Sequence, residues 1–444
     1  MRTASILLEL SLLNLLVACS QSAREQPAAA SNHGSQTQAP TSPPTAAGQA
    51  AQPAAGAAMA AAGRPPASVS PDAGPMAASS GMSAPATVGA AGTAAMQTTA
   101  GTRSSAAGTA ESPPSGGRSS SPPPPLSSSK IYVSVYADSE ITEIDGASYA
   151  IVGHIPVGRG PAILLETPDH SKLYTANWAD NSVSAVKLAT REVHAIKESG
   201  QPFVIAMSAD GKFVYSGLTS NKIDVISTET DTIARSISMS QFPMSVIVSP
   251  DGGTLYVAFS GGTAQAINAQ TGAVVHPALS VGAIPGWISL TPDGSTAYTL
   301  NWGSGDVSVI DTTTWKTTTT LKLGAGSDPI IGAVTPDNSL LCVTNFGTAN
   351  AVIVETKTNK TLHTLMFDGR PTGVNFSPDG QQVYVTDYGH ASLSSDANSL
   401  ILIGTSGRLP SNPGPGRVTV FSSSTGAKLT EIAVGQWPSS VVIQ

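Results

Sequence analysis

From Lys130 onward, short apolar runs alternate with clusters of Gly, Asp, Asn and Ser, and the alternation recurs along the whole stretch. In the part opened by Pro243, four runs of strand composition follow one another: Ser245 to Ser249, Thr254 to Phe259, Ala264 to Asn268 and Val274 to Leu279. Each is short and bounded by turn residues, and no helical periodicity interrupts them. Two sets of landmarks count the same unit. One is a Pro after a short polar loop (Pro161, Pro202, Pro243, Pro285, Pro329, Pro371, Pro438), at intervals of 41, 41, 42, 44, 42 and 67. The other is a Pro-Asp-Gly-like turn followed by an aromatic, as in Pro250-Asp251-Gly252 to Tyr256 and Pro292-Asp293-Gly294 to Tyr298. Four strands in about 42 residues predict a propeller blade.

The ends of this region fix the count. The last unit stops after Ser440-Val441-Val442-Ile443, which reads as a first strand, whereas the region opens at Lys130-Ile131-Tyr132-Val133, which reads as a second strand. One blade built from both termini closes the ring and removes two open strand edges. The expectation is an all-β, seven-bladed β-propeller over residues 130–444, with extra residues inserted at about 389–416 to account for the long interval.

The repeats also resemble a known family. Tyr298-Thr299-Leu300-Asn301 followed by Asp306-Val307-Ser308-Val309-Ile310-Asp311, and Cys342-Val343-Thr344-Asn345 after Pro336-Asp337, are similar to YVTN β-propeller repeats. The resemblance implies exported or surface proteins, often of unassigned role. Relatives with the same ring include lactonase-like enzymes and haem or copper oxidoreductase domains, so the fold leaves function open.

The preceding residues are of another kind. Residues 20–129 hold sixteen prolines, no Phe, Trp or Tyr, and seven charged residues, and all 22 aromatics follow Lys130. With so little apolar side chain to offset ordering entropy, residues 19–129 are expected to form a disordered tether. As a flexible coil it would span roughly 50 to 65 Å, more with its prolines. Before it, residues 1–18 carry Arg2 and an apolar run from Ile6 to Val17, too short to cross a bilayer as a helix but suited to an export signal. Leu16-Val17-Ala18-Cys19 resembles the lipobox of bacterial lipoproteins, with Glu9 departing from the usual pattern. That resemblance implies a lipidated Cys19, attachment to a membrane, and a place in the cell envelope, with Ser20 resembling outer-membrane or surface sorting. The second cysteine, Cys342, lies in an apolar run and is expected to be a small buried hydrophobe.

Charge narrows the partners. The chain carries a formal net charge of -7, all of it from the region after Lys130, where clustered Lys and Arg are lacking. Nucleic acid is therefore not an expected partner. No Gly-x-Ser-x-Gly, phosphate-binding Gly-Lys-Ser/Thr, His-Glu-x-x-His or Cys-x-x-Cys element occurs, and the histidines are scattered, so no cofactor or metal is expected. The repeated Asp-Gly pairs read as hairpin turns rather than calcium ligands.

Chain direction places the loops before the seven prolines, and those after the Tyr-Val-Thr-Asn-like strands, on one face of the ring. The insertion joins the second set and would overhang that mouth. Tyr136, Trp178, Trp302, Phe346 and Tyr388 share one repeat position, which suits packing between blades. Phe203, Phe242, Trp287 and Trp437 sit beside the loop prolines at non-equivalent positions and are stronger candidates for stacking on a sugar or anchoring a partner. The candidate binding mouth thus comprises Phe203, Phe242, Trp287, Trp437, Trp178, Trp302, Arg159 and Arg370. On the inner strands only Glu166 is ionisable, and acid–base work would need a partner from loops holding Arg159, Arg370, Asp328, Asp387 or His390. The expected function is a non-catalytic, lipid-anchored binding module, acting as a monomer on a glycan, peptidoglycan or protein ligand. The alternative is a lactonase-like or other hydrolase using the same mouth.

Overall fold

The computed structural model describes residues 129–389 and 415–444. The expected signal peptide, Cys19, the tether up to residue 128, and residues 390–414 of the expected insertion, His390 among them, lie outside the described residues.

Among the described residues, 28 strands numbered β1 to β28 along the chain form seven four-stranded antiparallel sheets, the blades of a propeller. Blade 1 has the order β28-β1-β2-β3, combining Pro438–Ile443 with Lys130–Val135, Glu140–Asp145 and Ile151–Pro156. Val441 pairs with Val133 and Ile443 with Ile131, so the two ends of the region share a sheet as expected. The other blades run consecutively outward from the inner strands β4 (Pro161–Glu166), β8 (Pro202–Met207), β12 (Pro243–Val248), β16 (Pro285–Leu290), β20 (Pro329–Val334) and β24 (Pro371–Phe376). Every inner strand therefore starts at a loop proline, a position where the missing N–H costs no ladder bond.

The core lies between blades. Tyr132, Ile141, Leu164 and Leu173 fill the junction of blades 1 and 2. Ile131, Val133, Tyr384, Val418 and Val441 fill that of blades 7 and 1. Inner and middle strands are buried on both sides, whereas outer strands such as β7 (Glu192–Lys197) and β19 (Lys316–Lys322) are exposed along most of their length. This is why the first three runs of each unit read as nearly continuous apolar stretches and the fourth does not. Cys342 stands where the six other blades carry Tyr, is fully buried, and its thiol is pushed up by burial.

Two local devices set the rims. At the lower rim, Asp169, Asp210, Asp251, Asp293, Asp337 and Asp379 each accept the backbone N–H two residues on, at 2.9 to 3.1 Å. The repeated Asp thus closes a turn. At the upper rim, pairing slips immediately after the loop proline in all seven blades, as between Pro202 and Val204. A bulge frees one residue from the ladder and re-aims its side chain. In blades 7 and 1 the freed hydroxyls link neighbours: Thr372 donates to the Pro438 carbonyl at 2.9 Å and Ser439 to the Pro161 carbonyl at 2.8 Å.

Candidate ligand-binding face

The upper rim is where the two loop sets meet, and backbone bonds sew them together. The N–H of Trp178 donates to Gly160, Trp302 to Ile284, Phe346 to Asp328, Tyr388 to Arg370, and Tyr136 to Trp437, at 2.9 to 3.1 Å. Thr219 and Ser260 make the same bond in blades 3 and 4, to Gln201 and Phe242. Those two blades lack the repeat-position aromatic and instead bring Phe203 and Phe242 to the rim. Phe203 is the bulged residue of β8, which explains why an inner-strand side chain turns toward the mouth.

The result on one side of the mouth is a continuous aromatic ledge. Trp178 meets Phe203 edge-to-face at 5.3 Å between ring centroids, and Phe203 meets Phe242 likewise at 5.5 Å. Trp178 is nearly buried, while Phe203 and Phe242 are half-buried and keep part of each ring outward. Polar groups border it: exposed Arg159 donates to the Ala179 carbonyl at 3.1 Å and stands 3.6 Å from the Asp180 carboxylate, which also meets Lys197 Nζ at 3.3 Å.

Other expected rim residues are placed differently. Trp437 has 0% exposure, stacked on Tyr388 at 5.0 Å and near Tyr136 at 6.3 Å, so its ring is interior packing rather than a rim surface. Its backbone is left-handed (φ 64°), an uncommon state for a bulky residue that the packing of the ring holds in place. Trp287 extends into the central channel. Its indole N–H donates to the Gly332 carbonyl at 3.0 Å, and its ring touches the cores of three junctions. It is a wedge between inner strands, because the bulge at Pro285 sends the next ladder residue inward. Trp302 is half-buried with its indole N–H enclosed. Arg370 donates to the carbonyls of Phe346 and Gly347 at 2.9 and 2.6 Å and lies over the Phe346 ring, so it clamps a loop. Among the repeat-position aromatics, Phe346 meets Tyr388 of the next blade edge-to-face at 6.1 Å, as packing between blades requires, while Trp178 meets Phe203 and Tyr136 and Tyr388 meet Trp437.

Glu166, the ionisable inner-strand residue, ends β4 at the rim opposite the mouth. It lies 3.2 Å from His170 and accepts from Gln444 Nε2 at 2.5 Å. Arg370 precedes β24 at the mouth. The channel length separates the two, about 17–20 Å for six strand residues.

One group was missed by sequence reasoning. Glu198, just after β7, has both carboxyl oxygens enclosed, with the Ser216 hydroxyl beside them. Burial, with a smaller push from the Asp224 charge, raises it to about 8; the neighbouring Ser216 hydroxyl tempers the rise. The signal lay in the repeat. The residue four before the loop proline is Val157, Met239, Val281, Phe367 and Val434 in other blades, with Leu323 in the blade whose loop is longer. All six pack into junction cores.

No family model matches the chain, and no curated protein matches it. Among solved structures, hydrazine synthase of Kuenenia stuttgartiensis is similar over 63% of this chain and 88% of its own, with TM-score 0.51 and 21% identity. A functionally unknown protein from Desulfotomaculum acetoxidans is similar over 71% of this chain and 98% of its own, with TM-score 0.56 and 12% identity. At these identities the likeness shows a shared propeller fold.

Proposed function

We propose that this chain is an exported, lipid-anchored propeller of YVTN type whose mouth binds a ligand without transforming it, with a cell-wall glycan as the favoured ligand. The carrying observation is the ledge of Trp178, Phe203 and Phe242, bordered by Arg159, Asp180 and Lys197. Aromatic faces beside hydrogen-bonding side chains suit a sugar ring, which has apolar C–H faces and a polar edge. The lipobox-like Leu16-Val17-Ala18-Cys19 and the Pro-rich stretch after it support attachment to a membrane by a leash long enough to reach a wall. A hydrolase drawing on Glu166 with Arg370 finds less support, since the two sit at opposite ends of the channel and both are engaged.

The test is co-sedimentation of the full chain with purified peptidoglycan sacculi, beside a glycan array. Binding that falls at least about tenfold in Phe203→Ala and Phe242→Ala, and is unchanged in Val193→Ser on an outer strand, supports the reading. A flat response on both surfaces removes the glycan and leaves a protein ligand. Turnover of a lactone or ester panel would replace the reading with the hydrolase.

A further inference from the structure

Charge is spread unevenly around the upper rim. In blades 2 to 4 the rim stretches 157–160, 178–181, 197–201, 218–222, 238–242 and 259–262 carry Arg159, Lys197 and Lys222 against Asp180 and Glu198. Glu198 is raised to about 8 by burial, so it holds its proton at neutral pH and cancels none of the cations. Three cations thus face one carboxylate, in a chain whose formal net charge is -7. Across the mouth the balance reverses. Blades 5 to 7 and 1 bring Asp138, Glu140, Asp306 and Asp368 to the same rim. The cations there are committed: Lys322 to Asp306 at 2.6 Å, Arg370 to two loop carbonyls, and Arg417 to Glu431.

The cations beside the ledge are less engaged. The Arg159 side chain is 73% exposed, and its Nη2 alone serves the Ala179 carbonyl at 3.1 Å and the Asp180 carboxylate at 3.6 Å. Lys197, 66% exposed, meets the same carboxylate at 3.3 Å. One carboxylate shared between two solvated cations leaves a residual positive charge. Lys222, which opens β10 (Lys222–Ser227), has no carboxylate partner among the described residues. The loop before it is held against the ledge: the Thr219 N–H donates to the Gln201 carbonyl and the Gln201 N–H to the Thr219 hydroxyl, both at 3.1 Å, two residues before Phe203. Arg159 is tied to the other end, since the Ala179 N–H, next to Trp178, donates to its carbonyl at 3.2 Å. The aromatic ledge is therefore flanked by cations at both ends, on an otherwise acidic body.

Resting on the reading of the ledge as a sugar platform, we infer that its ligand is an acidic glycan, with sugar rings stacked on Phe203 and Phe242 and ring-borne carboxylates met by Arg159 and Lys222. Stacking alone discriminates poorly, because sugars in general present a C–H face to an aromatic ring. Charge supplies the discrimination: an anionic chain is drawn to the cationic arc and repelled by the rest of the rim. The Arg159 guanidinium keeps Nε and Nη1 for a carboxylate, the acceptor that its planar fork matches.

The experiment is calorimetric titration of the full chain at pH 7 and about 50 mM NaCl with hexagalacturonate and with its methyl ester, which keeps the rings and removes the charge. The acid should bind at least about fivefold more tightly than the ester, the margin expected of two solvated ion pairs. That margin should shrink at about 500 mM NaCl, where such pairs are screened. Arg159→Gln combined with Lys222→Gln should bring the two forms to the same affinity, whereas Phe203→Ala should weaken both. Equal affinity for acid and ester in the wild type, a margin that survives the double substitution, or no binding of either form would overturn the acidic ligand. Sacculus binding that still depends on Phe203 and Phe242 would then keep the ledge and discard only its preference for charge, so the two failures are distinguishable.

Discussion

The side-chain oxygen of Ser134 lies 3.1 Å from that of Ser439, 305 residues further along the chain. Ser439 belongs to the inner strand and Ser134 to the next strand of the same blade, so the contact marks where the ring is closed. Removing residues 438–444 deletes the inner strand of blade 1 and opens edges on both sides of the seam. The truncated chain is expected to lose its cooperative denaturation transition and to aggregate on size-exclusion chromatography. An unchanged transition would mean that the ring does not depend on its seam.

Trp287 and Trp437 should behave as core residues. Replacing either by Ala leaves a large void and is expected to cost about 3–5 kcal/mol in urea denaturation. Phe203→Ala and Phe242→Ala, at half-buried positions, should cost less than half as much. A reversed ranking would contradict the placement of these four rings.

Glu198 makes stability depend on pH. Its pKa is raised in the folded protein from 4.5 to about 8, so folding takes up a proton between those values. The favourable contribution is fully present below about pH 4.5 and is lost as pH rises through about 8, at about 1.4 kcal/mol per unit of displacement. The wild type should therefore weaken between about pH 5 and pH 8 relative to Glu198→Gln and then level off, as measured by urea midpoints. Parallel curves for the two proteins would show that the carboxyl is solvated.

Cys342 is buried between blades 6 and 7, and burial holds its thiol in the protonated form. Mass spectrometry after treatment of the native chain with iodoacetamide at about pH 8 should find this residue unmodified, and fully modified after treatment in denaturant. Native-state labelling would place it at the surface.

Much of the fold was legible because its determinants are local. The Asp of each turn acts on an amide two residues away, and each loop proline begins a strand, so the period and the shared blade could be read from Pro161 to Pro438. The candidate site was less legible because exposure is set by distant partners. Trp437 and Phe203 both flank a loop proline, yet the first is covered by Tyr388, 49 positions earlier, while the second is turned outward by a bulge. Glu198 sits in no motif. Its raised pKa comes first from burial at a junction, and only comparison with Val157, Val281 and Val434 at the same repeat position reveals it.

The central claim is that ligand meets the ledge at the mouth. Hydrogen exchange of the full chain, with and without soluble peptidoglycan fragments, tests it most directly. Binding should slow exchange at the amides of residues 178–181, 198–204 and 241–244, with the lower-rim turns around Asp251 and Asp293 unchanged. Protection confined to the lower rim or the outer strands, or no protection at saturating fragment, would contradict the account.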